Sequence, residues 1–167
     1  MAGAPELVHG TAIALRQGAT WRAALIRGAS GAGKSDLALR CLAATPSNGL
    51  LNADVALVAD DQVHVACRAP KLEARCPAAL RGKLEVRGIG IIEVRSIDAA
   101  DLALVVDLVP RTDVPRLPDP PSKCALQGIT LPLLLISAFE ASAPLKLLLA
   151  LQDPAVLGEA QGPSARR

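Results

Sequence analysis

Aromatic side chains are almost missing from this sequence: Tyr is absent, and Trp21 and Phe139 stand alone among 167 residues. Single-stranded nucleic acids are held on aromatic platforms on which bases stack, so that partner class is argued against. Net charge is small as well, since 18 Lys and Arg against 16 Asp and Glu leave +2. A surface so nearly balanced has no field with which to collect a polyanion, and the one basic run is the terminal pair Arg166-Arg167. Long apolar runs are missing too. Leu131–Ile136 and Leu145–Leu151 are short and are interrupted by Pro132 and Lys146, whereas a bilayer demands about 20 apolar residues. Met1 to Glu6 has neither the basic nor the apolar region of a signal peptide. Cys41, Cys67, Cys76 and Cys124 form no C-x-x-C pair and no metal-ligand spacing, and without a secretory signal they read as reduced thiols. These absences point to a cytoplasmic protein with neither nucleic acid nor membrane as partner.

Apolar residues are plentiful, at 51%, and the length suits one domain with a sizeable core. The domain is expected over residues 1–157, with a mobile Pro-rich loop at 110–122 and a disordered tail from 158 to 167. At its centre stands Gly28-Ala29-Ser30-Gly31-Ala32-Gly33-Lys34-Ser35, a full match to G-x-x-x-x-G-K-[ST]. The apolar segment Ala23–Ile26 precedes it and reads as a buried strand. Asp36–Leu42 follows as a helix with Leu37, Cys41 and Leu42 on one side. Strand, glycine loop and helix form the context in which this motif cradles phosphates on backbone N–H groups. Lys34 would then reach the β- and γ-phosphates of a nucleoside triphosphate or a close relative, and the Ser35 hydroxyl would hold Mg²⁺.

Elsewhere the pattern is strand-rich. Val8–Leu15 reads as one opening strand, Gln17–Thr20 as a hairpin turn, and Trp21–Ile26 as the strand feeding the loop. The first helix should stop near Ala44, before the breakers Pro46 and Asn48-Gly49. Val55–Ala59 is a continuous apolar run, and Gln62–Cys67 alternates as a strand turning back on it. A short helix is expected near Pro77, after an antiparallel excursion from Pro70. Ile91–Val94, Ala103–Val109 and Ile129–Ile136 carry strand character, and Ala143–Leu151 is a last amphipathic helix. Five prolines between Pro110 and Ser122 exclude regular structure there. The fold class is α/β: a mixed sheet with flanking helices around a phosphate loop.

Phosphoryl transfer also needs carboxylates, one to position a cation and one to take a proton. Asp60-Asp61 closes the Val55–Ala59 strand, so both side chains can face a cleft; the alternative is a solvated turn. Asp107 lies inside an apolar strand and reads better as structural. Glu85, just before Arg87-Gly88-Ile89-Gly90, could complete a metal shell while Arg87 holds phosphate, although such segments are commonly solvated turns. His9, taken alone, reads as a structural strand residue.

Taken in order, these pieces resemble the catalytic domain of the HPr kinase/phosphorylase family. Val8-His9-Gly10, Gly28–Ser35, Val58-Ala59-Asp60-Asp61 and Glu85-Val86-Arg87-Gly88-Ile89-Gly90-Ile91-Ile92 match four of its motifs. The resemblance implies an ATP- and Mg²⁺-dependent protein-serine kinase acting on an HPr-like phosphocarrier protein, assembled as a homo-oligomer, a hexamer in that family. It implies Lys34 on the phosphates, Ser35 and Glu85 on Mg²⁺, and Asp61 as the base that deprotonates the target serine. Asp60 would share that site or the metal, His9 would approach the transferred phosphoryl group, and Arg87 to Glu93 would shape the pocket.

Arg116 joins the catalytic set as the remnant of an Arg-Leu-Gly element, here Arg116-Leu117-Pro118. Two departures stand out. Seven residues precede Val8, which resembles a short form without the family's N-terminal domain. Pro132–Ala138 stands where longer relatives carry an arginine-rich motif implicated in removing phosphate, so phosphorylase activity is expected to be weak or absent. A small-molecule kinase on the same loop and a nucleotide-sensing module without turnover remain as alternative readings. A GTPase switch is disfavoured, because neither Asn48 nor Asn52 sits in an N-K-x-D motif.

Overall fold

A computed structural model of the chain describes residues 4–44, 49–51 and 53–157. The breakers Pro46 and Asn48, the start at Met1, Asn52 and the tail 158–167 lie outside the described residues. Among the described residues one nine-stranded sheet dominates and a separate two-stranded hairpin stands beside it. Among the described residues no helix is long and apolar enough to cross a membrane.

The chain opens with β1 (Glu6–His9) and β2 (Thr11–Gln17), and the single strand expected over Val8–Leu15 is thus broken at Gly10. The reason is steric. A Cβ on Gly10 would lie 2.8 Å from the Ile26 carbonyl oxygen, a separation that real Cβ atoms do not reach. A glycine lets the backbone pass that close and change neighbours. β2 turns through Gly18 into β3 (Thr20–Arg27), its antiparallel partner. β3 delivers the phosphate loop, and α1 (Lys34–Ala43) starts from Gly33, whose φ is +99°.

β4 (Val55–Ala59) pairs with β2. β5 (Gln62–Arg68) does not turn back on β4 as its alternation suggested; it pairs with β1 and with β6 (Lys71–Arg75). One turn of 3-10 helix at Ala78–Leu80 follows. Then β7 (Lys83–Val86) and β8 (Gly90–Glu93) form the small hairpin, so the charged Arg81–Gly90 stretch contributes a strand of its own. β9 (Ala99–Leu108) is the spine of the sheet. Along one edge it runs parallel to β3; along the other its first half pairs with β6 and its second half with β11 (Ile129–Ile136). β10 (Lys123–Leu126) pairs with β11, and α2 (Ala143–Gln152) ends the domain. The 110–122 segment holds a single 3-10 turn at Arg111–Asp113.

Period-two alternation sorts the central strands into two apolar layers. Ile13, Leu15, Ala24, Ile26, Leu104 and Val106 face the helices and pack with Leu37, Leu147 and Leu148. Their neighbours Ala12, Ala14, Ala23 and Leu25 point the other way and cluster with Val63, Val65, Leu72 and Leu131. Each of the largest of these side chains, buried completely, contributes about 1.5–3 kcal/mol through burial. The three parallel strands β3, β9 and β11 end at one edge of the sheet, and open α/β sheets bind ligands outside those carboxyl ends.

Candidate active site

A cleft of about 300 Å³ opens at that edge, walled by the phosphate loop and the start of α1 on one side and by β1, the β4 end and β7 on the other. Gly31, Gly33, Lys34 and Ser35 of the loop line it together with His9, Asp60, Asp61, Glu85 and Arg87. All the sequence-derived site residues except Arg116 converge here or belong to the loop itself. Arg116 is exposed in the 110–122 segment and does not line the cleft. Of the stretch from Arg87 to Glu93, Arg87 lines the cleft, whereas Ile89 and Ile91 are exposed elsewhere on the hairpin.

The two adjacent aspartates have opposite environments. Asp60 is only 5% exposed. Its Oδ1 accepts from Thr11 Oγ1 and Ser35 Oγ, both at 2.7 Å, and its Oδ2 accepts from the Glu85 amide at 3.1 Å. All three donors are neutral, so this buried charge is met by hydrogen bonds rather than by a formal positive charge. A hard cation held by oxygens is a partner that fits such a site. Mg²⁺ takes one or two protein oxygens and completes its shell with water and phosphate, and Ser35 and Asp60 offer such a pair. Among the described residues no group of three or more His, Cys, Asp or Glu forms a dedicated metal cage.

Asp61, by contrast, is exposed and sits in the left-handed region at φ +67°. Non-glycine residues enter that region at a cost, Asp more readily than most. The conformation is held by three bonds around the turn. The Asp61 carbonyl accepts from Gly10 N at 3.1 Å and from His9 Nδ1 at 3.0 Å, and Gln62 N donates to the Asp60 carbonyl at 2.8 Å. His9 Nδ1 also lies 3.3 Å from Asp61 Oδ1. Because a carbonyl can only accept, the ring carries its proton on Nδ1 in this arrangement, which leaves Nε2 as the open nitrogen.

Lys34 is 7% exposed, and its Nζ donates to the carbonyls of Gly28 and Ala29, both at 2.9 Å. A phosphate entering the loop would offer this ammonium stronger, charged acceptors in their place. Arg87 reaches over the loop from the hairpin: a methyl group on Gly31 would come 4.0 Å from its guanidinium. Glu85 presents an exposed side chain at the rim while its amide binds Asp60.

Asp107, which reads better as structural, does not line the cleft. It makes a two-bonded bridge to Arg27 at 2.7 and 2.9 Å, and that bond is the chief cause holding the guanidinium further toward its charged form. Thr11 and Phe139 are among the cleft residues that escaped sequence reading. Thr11 follows Gly10 on β2 and shows no motif. Phe139 was visible only as a rare aromatic, in a loop without periodicity.

Comparison with known proteins places this geometry among relatives. The family model described as HPr Serine kinase C-terminal domain matches residues 6–138. A curated HPr kinase/phosphorylase of Aromatoleum aromaticum is 44% identical over 105 residues, covering 56% of this chain and 31% of that protein. One from Azoarcus sp. is 47% identical over 73 residues, covering 43% and 20%. The chain therefore spans less than a third of the length of these relatives. The solved structure of the Hpr(Ser) kinase/phosphatase from Coxiella burnetii superposes with a TM-score of 0.70 at 24% identity, over 90% of this chain and 91% of that one. At that identity the likeness establishes the shared fold.

Proposed function

Because the chain belongs to the HPr serine kinase C-terminal domain family, we propose that it is an ATP- and Mg²⁺-dependent protein-serine kinase. Its substrate in this reading is an HPr-type phosphocarrier of a cytoplasmic phosphotransferase system, and it works as a homo-oligomer. The observation that carries the reading is the split between the two aspartates. Asp60 is buried and bonded to Ser35, whereas Asp61 is exposed beside His9 at the rim of the same cleft. One carboxylate suits a cation, and its neighbour suits a proton arriving from a protein hydroxyl.

Ser35 and Asp60 would hold Mg²⁺, with Glu85 at the rim as a further oxygen donor. The metal, when bound, neutralises charge on the β- and γ-phosphate oxygens. The N–H groups of Gly28–Ser35 bind and orient the triphosphate. Lys34 exchanges its two carbonyl acceptors for phosphate oxygens and stabilises charge there. Arg87 adds a second cation above Gly31. Asp61 aligns the incoming serine hydroxyl and takes its proton. His9 fixes the Asp61 turn through Nδ1 and keeps its own Nε2 available at the rim. Catalysis of this type is mostly positioning and charge stabilisation.

The segment Pro132–Ile136 is a core strand here, with Leu133–Ile136 paired to β9. Apolar side chains on such a strand offer no charge-assisted bond to an attacking phosphate, which supports weak or absent phosphorylase activity.

The test is incubation with γ-labelled ATP, Mg²⁺ and an HPr-type carrier, with chemical typing of the label. Acid-stable, alkali-labile phosphate on the carrier is expected. Asp61→Asn should slow transfer about 10²- to 10⁴-fold, the usual worth of a general base, with nucleotide binding intact. An unlabelled carrier, or an Asp61→Asn variant as fast as the parent, would overturn the assignment. Rapid phosphate-dependent release from the phosphoserine carrier would overturn the phosphorylase reading.

A further inference from the structure

The loop from Ser137 to Ser142, between β11 and α2, places an exposed aromatic ring in the cleft. Phe139 is 72% exposed and lines the same cavity as the phosphate loop. The loop that carries it is fastened on both flanks. Arg40 of α1 donates to the carbonyl of Ala138 and, at 3.3 Å, to that of Glu140, while Asp36 accepts from Arg40 at 2.9 Å. Glu140 in turn bonds Lys146 at 2.5 Å and lies 3.4 Å from Arg111. The ring stands against the loop backbone itself: a Cβ on Gly33 would be 2.9 Å from Phe139 Cζ. A large apolar side chain is thus held in water, at a fixed place, beside a phosphate-binding loop.

The sheet order says which end of a bound triphosphate this is. β4 and β11 lie on opposite sides of the phosphate-loop strand, in the sequence β11-β9-β3-β2-β4. Asp60 and Asp61 follow β4, so the phosphoryl group to be transferred faces that side. The nucleoside must then leave the loop toward the other side, where Phe139 follows β11.

We infer that Phe139 is the platform on which the nucleobase stacks, and that it accepts adenine and guanine with little distinction. The inference rests on the reading of the loop as a nucleoside triphosphate site. Stacking uses the π-face that every base possesses, and so discriminates weakly. Asp36, which shares the cleft with the ring, is engaged by Arg40, and Glu140, next to Phe139 in sequence, is engaged by Lys146, which leaves both poorly placed to read a base edge.

Calorimetric titration of the full chain and of Phe139→Ala, Phe139→Leu and Phe139→Tyr with Mg·ATP, Mg·GTP and Mg·tripolyphosphate tests this. ATP and GTP should bind the parent within a few-fold of each other and more tightly than tripolyphosphate. Ala and Leu should weaken both nucleotides about tenfold, Tyr should retain them, and tripolyphosphate affinity should not change in any variant. Unchanged ATP affinity in Phe139→Ala would overturn the inference, as it would if the ring serves a protein partner. Parallel loss of ATP and tripolyphosphate would also overturn it, by showing that the ring only supports the loop. A parent that excludes GTP would refute the tolerance. A parent that binds tripolyphosphate but gains nothing from the nucleoside sinks this inference alone, whereas one that binds no phosphate compound removes the nucleotide reading beneath it.

Discussion

Replacing Asp60 by Asn keeps the side chain's shape, removes its charge, and so separates what the residue does for the fold from what it does for a cation. Thr11 Oγ1 and Ser35 Oγ donate to one carboxylate oxygen and the Glu85 amide to the other. An asparagine that turns its carbonyl toward the Glu85 amide presents its NH₂ group to two hydroxyls. Hydroxyls rotate and can accept, so all three contacts survive. The exchange of charged for neutral hydrogen bonds costs about 1 kcal/mol per bond. It is offset by no longer burying a carboxylate, a desolvation penalty of several kcal/mol. Asp60→Asn should therefore lie within about 1 kcal/mol of the parent. Asp60→Ala leaves the fully buried Thr11 hydroxyl without its acceptor and should lose about 2 kcal/mol.

The functional side is read from urea unfolding with and without Mg·ADP. At a hundred times its Kd a ligand adds about 2.7 kcal/mol to the parent. In Asp60→Asn the part of that gain that requires Mg²⁺ should vanish. An Asp60→Asn protein that loses 3 kcal/mol or more without ligand would show the carboxylate to be structural. One with undiminished Mg²⁺-dependent stabilisation would show that the cation sits elsewhere.

Other perturbations address the frame around the cleft. Gly10→Ala forces a methyl group to within 2.8 Å of the Ile26 carbonyl, and overpacking of this kind costs about 1–3 kcal/mol. Because Gly10 N also holds Asp61, carrier phosphorylation should fall further than stability does; a variant with parental kcat and unfolding midpoint would refute the steric account. Burial pushes the Cys41 thiol up to about 12, against the pull of the Arg40 charge, and burial raises Cys76 as well. Mass-mapped alkylation of native protein at pH 8 should therefore reach Cys67 and Cys124 first. With the folded value above the unfolded one, the Cys41 contribution is complete below about pH 9. It declines between about pH 9 and 12, at no more than about 1.4 kcal/mol per pH unit. Early labelling of Cys41, or stability that rises across that window, would contradict the burial.

The strands that are apolar on both faces were legible because their neighbours do not alter the pattern. β3, β4, β9 and β11 all announce themselves as runs of Ala, Val, Leu and Ile, and α1 and α2 show helical spacing. What local pattern cannot carry is pairing. Gln62–Arg68 alternates like any hairpin arm, yet its partners β1 and β6 are chosen by the second apolar layer, through Val63, Val65 and Leu72. The break at Gly10 depends on a carbonyl sixteen positions away in β3. In the site, the motif residues were readable because phosphate chemistry constrains local spacing. The division of labour between Asp60 and Asp61 was not, since it arises from Thr11 and from the Glu85 amide. Arg116 stands apart from the cleft for a related reason: a matching dipeptide in a proline-rich segment carries no information about which surface the segment covers.

The parallel pairing of β3 with β9 has a bearing on how the protein comes into being. β3 meets β2 at once through the Gly18 turn, but β9 is synthesised only after β4 to β8 have been made. In the meantime the strand that bears the phosphate loop has one bare edge, open to any passing strand, and the loop is a complete motif without a cleft. The β11–α2 turn, clamped by Arg40 across about a hundred residues of chain, arrives later still. A nascent chain therefore passes through a long interval in which its most conspicuous sequence motif has no cleft around it, and on the proposed reading nucleotide capture would follow assembly of the sheet.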